Sequence, residues 1–267
     1  MLLIPIRGGT INPGDDLIGK ILQLLEELDV KPRDGDVLAI PSKVVATIQN
    51  RIVKLECVAP SKEAVELAEK YRLEPKYVEI VLKEADKVYG GVYKSLLTLK
   101  DNSLIANAGV DQKNAPKGYV TLLPRDPIKT AEELRRNFTS RTGIRIGVII
   151  VDSHVTPLRM GTTGYALAVS GFKPVIDLRS KPDLYGRRIE ITRHSIADDL
   201  SSAAHALMGE ADERVIAVLI RDAPIELNEE NQSHMMYIEP KECLFTSTLL
   251  KYNIKSSKEQ SPSDSLS

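Results

Sequence analysis

Two aspartates stand at the ends of apolar stretches, far apart in the chain. Asp111 follows Asn107-Ala108-Gly109-Val110. Asp152 follows Val148-Ile149-Ile150-Val151 and precedes Ser153. A carboxylate just past a buried strand is held at the rim of a sheet, and a hydroxyl beside it adds a second hard oxygen. Mg²⁺ and Mn²⁺ favour such donors, taking one or two carboxylates while water and substrate phosphate complete the shell. Spacing alone leaves a plainer reading ahead, in which each aspartate closes its strand as a turn residue. Gly8-Gly9-Thr10 could let backbone approach a ligand, or form a simple loop. Ser42-Lys43 follows a strand and could meet a phosphate, although an exposed lysine is the commoner explanation. Gly209-Glu210 could offer backbone donors and a carboxylate, or could be a helix C-cap with a solvated glutamate. His205 reads as structural. His154, beside Asp152 and Ser153, is the histidine nearest the candidate chemistry.

Several familiar scaffolds are absent. The chain has no G-x-x-x-x-G-K-[ST] phosphate loop, no G-x-G-x-x-G fingerprint and no G-x-S-x-G elbow. Its four histidines and two cysteines show no zinc-like spacing.

The elements that must position these residues follow from periodicity. Met1 to Ile6 reads as a first strand. Leu17, Ile18, Ile21, Leu22, Leu25 and Leu28 form one helical stripe after Pro13-Gly14-Asp15-Asp16. Val37 to Ile40 is a short buried strand stopped by Pro41. Helices are expected at about Ser61 to Tyr71 and Pro75 to Ala85, with Pro75 at a first helical position. Residues 88–125 look β-rich, and Thr130 with Glu133 forms a capping-box pattern before a further helix. Arg145 to Val151 is the clearest strand and ends at Asp152, and Thr163 to Val169 is another. Ser195-Ile196-Ala197-Asp198 opens a helix that Gly209 stops. Val215 to Ile220 is a buried strand, and a last helix is expected at about Pro240 to Lys251. From Lys255 the chain is rich in serine and nearly devoid of apolar residues, which predicts disorder. Helices and strands mix without strict βαβ alternation, which favours an α+β fold.

Composition bounds the function classes. With 267 residues and 42% hydrophobic content, the chain can bury a core without disulfide or metal staples. Lys+Arg at 36 against Asp+Glu at 37 leaves a net charge of −1, which argues against a general nucleic-acid binder but not against a local basic pocket. Two cysteines, Cys57 and Cys243, suit a reducing compartment. No apolar run approaches a bilayer span, and the N-terminus lacks a charged segment and cleavage site, so a cytoplasmic protein without membrane partners is expected.

Six strings then occur in one order. They are Asn107-Ala108-Gly109-Val110-Asp111-Gln112-Lys113-Asn114, Leu122 to Pro127, Gly147 to Ser153, Gly161-Thr162-Thr163-Gly164, Asp183-Leu184-Tyr185-Gly186-Arg187, and Leu207-Met208-Gly209-Glu210. Together they resemble the coenzyme F420-0:L-glutamate ligase (γ-glutamyl ligase) family, from about Pro5 to Arg221. The resemblance implies an amide ligase that uses GTP, two divalent ions (Mn²⁺ or Mg²⁺) and K⁺. GTP would phosphorylate the terminal carboxylate of F420-0, and the amine of L-glutamate would attack the acyl phosphate. It also implies a two-lobed α+β fold with mixed and antiparallel sheets, flanking helices and an intertwined homodimer. The lobes would divide as residues 1–127 and 128–254, before the tail at 255–267. Carried onto matching positions, Asp111 and Asp152 would be metal ligands, and Ser153 and Glu210 would hold a second ion. Gly8, Gly9, Thr10, Ile11, Ser42, Lys43 and Asn114 would line the nucleotide site, as would Met208, Gly209, Glu210, Ala211, Asp212, Glu213, Arg214 and Val215.

Departures mark where this chain differs. The family usually has a lysine where Thr47 stands, and Thr47 is counted with the nucleotide site on that ground. After the metal aspartate the family usually reads Gly-Arg-Pro-Trp-Arg. Here the run is Val155-Thr156-Pro157-Leu158-Arg159. Threonine cannot replace the paired hydrogen bonds of an arginine. Two alternatives follow: a paralogous amide ligase with another acceptor or amino acid, and a nucleotide- or deazaflavin-binding protein that has lost catalysis.

Overall fold

The computed structural model describes residues 1–249. The strands are β1 (Leu2–Arg7), β2 (Val37–Pro41), β3 (Ile52–Lys54), β4 (Lys87–Val92), β5 (Ser95–Lys100), β6 (Ser103–Ala106), β7 (Tyr119–Thr121), β8 (Gly147–Val155), β9 (Thr162–Ser170), β10 (Val175–Asp177), β11 (Arg193–Ser195) and β12 (Val215–Arg221). The helices are α1 (Leu17–Glu27), α2 (Ser42–Ile48), α3 (Lys62–Tyr71), α4 (Pro75–Glu84), α5 (Pro127–Thr142) and α6 (Ile196–Met208). Helix and strand mix in an α+β arrangement, as the lack of strict alternation implies. Met1–Met236 forms one compact unit. Residues from Tyr237 form a second, which holds a helix at 244–249 inside the span expected for the last element. The tail from Lys255 lies outside the described residues.

A five-stranded sheet in the order β1-β12-β2-β8-β9 is the frame. Only β2 and β8 run parallel; the other neighbours are antiparallel. Alternation along these strands builds two cores. Leu38, Ile40, Val148, Ile150, Ala217 and Leu219 face α1 and α5, where Ile21, Leu25 and Phe138 are buried. Val37, Ala39, Ile149, Val151, Val218 and Ile220 face the other way, against Ile196, Leu200 and Ala204 of α6. A sheet buried on both faces reads as continuous apolar runs, which is why β2, β8 and β12 were legible as such. A third core joins α3 and α4 to β5 and β7 around Val78, Val81, Leu96 and Val120.

Local chemistry accounts for several boundaries. Asp16 caps α1 by accepting from the Gly19 N–H, and Ser61 caps α3 by accepting from Ala64. Leu28 is not part of the α1 stripe; it is the C-cap and is exposed. Thr130 does not start α5. Pro127 takes the first turn after Asp126, and the Thr130 hydroxyl, inside the helix, donates to the Arg125 carbonyl. β8 does not stop at Asp152 but runs to Val155, because a hairpin with β9 pairs Asp152 with Tyr165 and Val155 with Thr162. At the far end of the frame, Arg221 donates to both oxygens of buried Asp36, at 3.0 and 2.8 Å, and ties β12 to the entry of β2.

Candidate active site

One end of the five-stranded sheet collects the candidate residues. The parallel pair β2 and β8 ends there, with Pro41 beside Val151. Antiparallel pairing brings the start of β9, the start of β12 and the end of β1 to the same edge. In open parallel α/β sheets the crevice outside the carboxyl ends of the strands is a recurrent ligand site, and here the single parallel pair β2–β8 supplies such an end.

A cleft of about 230 Å³ opens at this edge, lined by Ser42, Lys43, Asp111, Lys113, Asp152 and Ser153 among others. Asp111 and Asp152 therefore converge on one cavity. Asp111 is carried by a rigid turn. Asn107–Gly109 forms a 3₁₀ turn, and Gly109 sits at φ +72°, where an added Cβ would strike Leu123. Asp111 then exchanges two backbone hydrogen bonds with Thr121, at 2.9 and 2.8 Å. The buried Tyr77 hydroxyl donates to the Val110 carbonyl at 2.7 Å and fixes the residue before the carboxylate. Burial raises the Tyr77 pKa, as does the Asp111 charge, so the phenol keeps its proton.

The charges of the cleft are paired across it. Lys43 Nζ lies 2.5 Å from Asp111 Oδ2, and Ser42 Oγ donates to Asp152 Oδ1 at 3.0 Å. Asp152 keeps only a limited opening to the cleft. This burial pushes its carboxyl above the ordinary value, against the hydrogen bonds from Ser153 and Ser42 and the charge of Lys43. Glu210 behaves oppositely. Burial works to raise it, but hydrogen bonds from Lys113, Thr162, His205 and Ser153 outweigh that and hold it at about 2. Lys113 is raised in turn by its bond to Glu210. His154 lines the cleft, stacks on Tyr165 with ring centroids 4.9 Å apart, and is lowered by burial.

The remaining candidates gather at the same edge without lining the cleft. Gly8 N–H donates to the Arg214 carbonyl at 3.0 Å, and Thr10 accepts from Lys20. Ile11 packs against the α1 core. Between Met208 and Val215 the loop is braced internally. The Glu213 carboxylate fills the space over Gly209 and accepts from Ala211 N–H, while Arg214 bonds Asp212. Asn114 donates to the Ala211 carbonyl at 3.0 Å and links this loop to the Asp111 turn. Thr47 is turned onto its own helix, donating to the Lys43 carbonyl at 2.7 Å. Lys113, Tyr77, Thr162 and His205 were not singled out from sequence as site residues. Lys113 lies in the first of the six strings, two residues past Asp111, and Thr162 in the fourth, and those positions are their signal.

The donor set suits a hard divalent ion. Asp111, Asp152, Ser153 and Glu210 offer oxygen only, and two ammonium groups already rest on the carboxylates of Asp111 and Glu210. Among the described residues no three His, Cys, Asp or Glu side chains gather within reach of one ion. Each ion would therefore take most of its shell from water and phosphate, as Mg²⁺ sites commonly do.

A family model described as F420-0:Gamma-glutamyl ligase matches residues 5–222. The chain belongs to this family of ligases. The coenzyme F420:L-glutamate ligase of Methanopyrus kandleri is 40% identical, over 81% of this chain and 84% of that protein. Proteins of the same name from Methanothermobacter thermautotrophicus and Methanocaldococcus jannaschii are each 37% identical, over 83% and 84% of this chain and 89% and 90% of their own lengths. The family match covers all six strings and the whole five-stranded frame except its outermost residues. Among the described residues no helix is long and apolar enough to cross a membrane.

Proposed function

We propose that this protein is a GTP- and metal-dependent amide ligase that joins L-glutamate to the terminal carboxylate of F420-0 or a close analogue. The observation that carries the reading is the convergence of Asp111 and Asp152, with Lys43 and Lys113, on one cleft in a chain of this family. A carboxylate does not condense with an amine in water near neutral pH, because its oxygen is a poor leaving group. In the proposed first step an acceptor carboxylate oxygen forms a bond to the γ-phosphorus of GTP as the bond to the β-phosphate oxygen breaks. The glutamate nitrogen then adds to the acyl carbon, phosphate leaves, and the amine proton passes to solvent. Divalent ions, when bound, align the phosphates and neutralise charge on their oxygens. Asp111 and Asp152 would hold them, with Ser153 and Glu210 serving the second. Lys43 and Lys113 would give up their carboxylates to the ions and turn to phosphate oxygens. The loop from Met208 to Val215, with Gly8 to Ile11 and Asn114, would carry the nucleotide. K⁺ is proposed as a stimulating ion.

A homodimer is part of the proposal. Leu158 and Met160 at the β8–β9 tip are fully exposed in a single copy, as Leu184, Tyr185 and Ile191 largely are. Such apolar tips suit burial against a second copy. The cytoplasm is the proposed compartment.

Incubation with F420-0, L-glutamate, GTP and Mn²⁺ is expected to give a product heavier by one glutamyl unit. GTP hydrolysis without a mass shift would remove the acceptor and leave a ligase of another substrate pair. Thr47, Val155 and Thr156 favour that second reading, since each stands where the family usually carries another residue. A screen of carboxylate and amine pairs for phosphate release separates the two. Tight nucleotide or deazaflavin binding with no turnover on any amine would mark a binding protein instead.

A further inference from the structure

Glu210 is held from several elements, and two of its partners have no role in the proposed reaction. Thr162 opens β9, and its hydroxyl donates to Glu210 Oε1 at 2.8 Å. His205 lies in the last turn of α6, with Nε2 at 3.1 Å from the same oxygen. That contact requires the hydrogen on Nε2. The His205 side chain is only 15% exposed, so its ring is fixed by packing. The fold is shaped for the convergence. At Gly164 an added Cβ would strike the Ser201 carbonyl and the His205 side chain, so only glycine lets β9 press this closely on α6. Ser202 Oγ donates to the Gly164 carbonyl at 2.8 Å and locks the approach. The other carboxylate oxygen, Oε2, takes Lys113 Nζ at 2.8 Å, and Lys113 lines the cleft.

We propose that Thr162 and His205 are positioning residues that occupy Oε1 of Glu210 and aim Oε2 at a cation in the cleft, a place taken by the Lys113 ammonium in this structure. The inference rests on Glu210 serving a divalent ion, as proposed above. Partners that orient a ligating carboxylate commonly change metal affinity by about 10- to 100-fold when removed. Thr162 lines the cleft as well, whereas His205 stands behind Glu210 and does not, so acceptor binding is expected to be unaffected in the His205 variants.

The test is Mn²⁺ titration of the full chain in the presence of GDP, read by the EPR signal of free Mn²⁺, with thermal unfolding of the metal-free protein as the fold control. Thr162→Val and His205→Leu are expected to weaken Mn²⁺ binding by about tenfold or more. Thr162→Ser and His205→Gln keep a donor and are expected to restore most of it. In turnover the KM for Mn²⁺ rises in both Thr162→Val and His205→Leu, and in the His205 variants the KM for F420-0 stays unchanged. Thr162 is exposed, so its variants fold even if His205→Leu does not. Wild-type affinity in Thr162→Val and in folded His205→Leu overturns the inference, as does equal loss in the donor-keeping variants. Absence of Mn²⁺ binding by the wild type instead removes the metal reading of Glu210, and the inference with it.

Discussion

Asp152 carries an electrostatic cost that its fold does not need. Burial raises its carboxyl pKa above the ordinary value of about 3.9. A raised folded-state pKa means the native state binds the proton more tightly than the unfolded chain. The contribution of this group to stability is therefore present at low pH and lost as pH rises through the window between the two values. Asp152→Asn removes the charge and keeps the shape. It is expected to abolish metal-dependent turnover while raising the melting temperature of the metal-free protein near pH 7, with the gain vanishing below pH 4. Thermal melts across pH, set beside the activity assay, check both halves. At this scale the sequence was partly legible. Asp111 and Asp152 were visible because each follows an apolar stretch. Tyr77 was not, because a tyrosine on α4 meets the cleft only through tertiary packing; His205 reads as structural because its contact with Glu210 also arises only in the fold, and Thr162 is marked only by its place in the fourth string.

The elements that aim these residues differ in how clearly they were written. β2, β8 and β12 are buried on both faces and read as unbroken apolar runs, while α1, α3, α4 and α6 carry stripes or caps. β3, β7, β10 and β11 are three residues each, too short for any period to show. α2 is seven residues behind a proline and hides in the same way. The end of β8 was misplaced because Asp152, a polar residue after an apolar run, looks like a terminus when it is a mid-hairpin position facing a cleft. Thr130 and Glu133 matched a capping pattern, but Pro127 is the stronger start signal. The frame that carries these elements is pinned opposite the site by Arg221 and Asp36. Removing one member of a largely buried, two-bond ion pair leaves a charge unpaired, so Arg221→Ala is expected to cost about 3 kcal/mol of stability. Its kcat at a permissive temperature should match the wild type, because the pair lies at the far end of the strands. Urea denaturation gives the first quantity and a steady-state assay the second.

For the whole molecule, the frame joins residues from the first strand to the last, and the cleft draws on segments near 42, 111 and 152 that only this topology assembles. The exposed tips at Leu158, Met160, Leu184, Tyr185 and Ile191 belong to the same scale. Light scattering is expected to give twice the chain mass, and Leu158→Asp with Met160→Asp to shift it toward one chain. An unchanged mass in that double variant would place the interface elsewhere. The proposed reaction requires Asp111 and Asp152 to act on the same bound cations. Counting Mn²⁺ bound per chain in the presence of GDP, for the wild type and for Asp111→Asn and Asp152→Asn, tests that most directly. Two ions are expected in the wild type, with number or affinity falling in both variants while each still folds. Equal stoichiometry and affinity in all three proteins would contradict it.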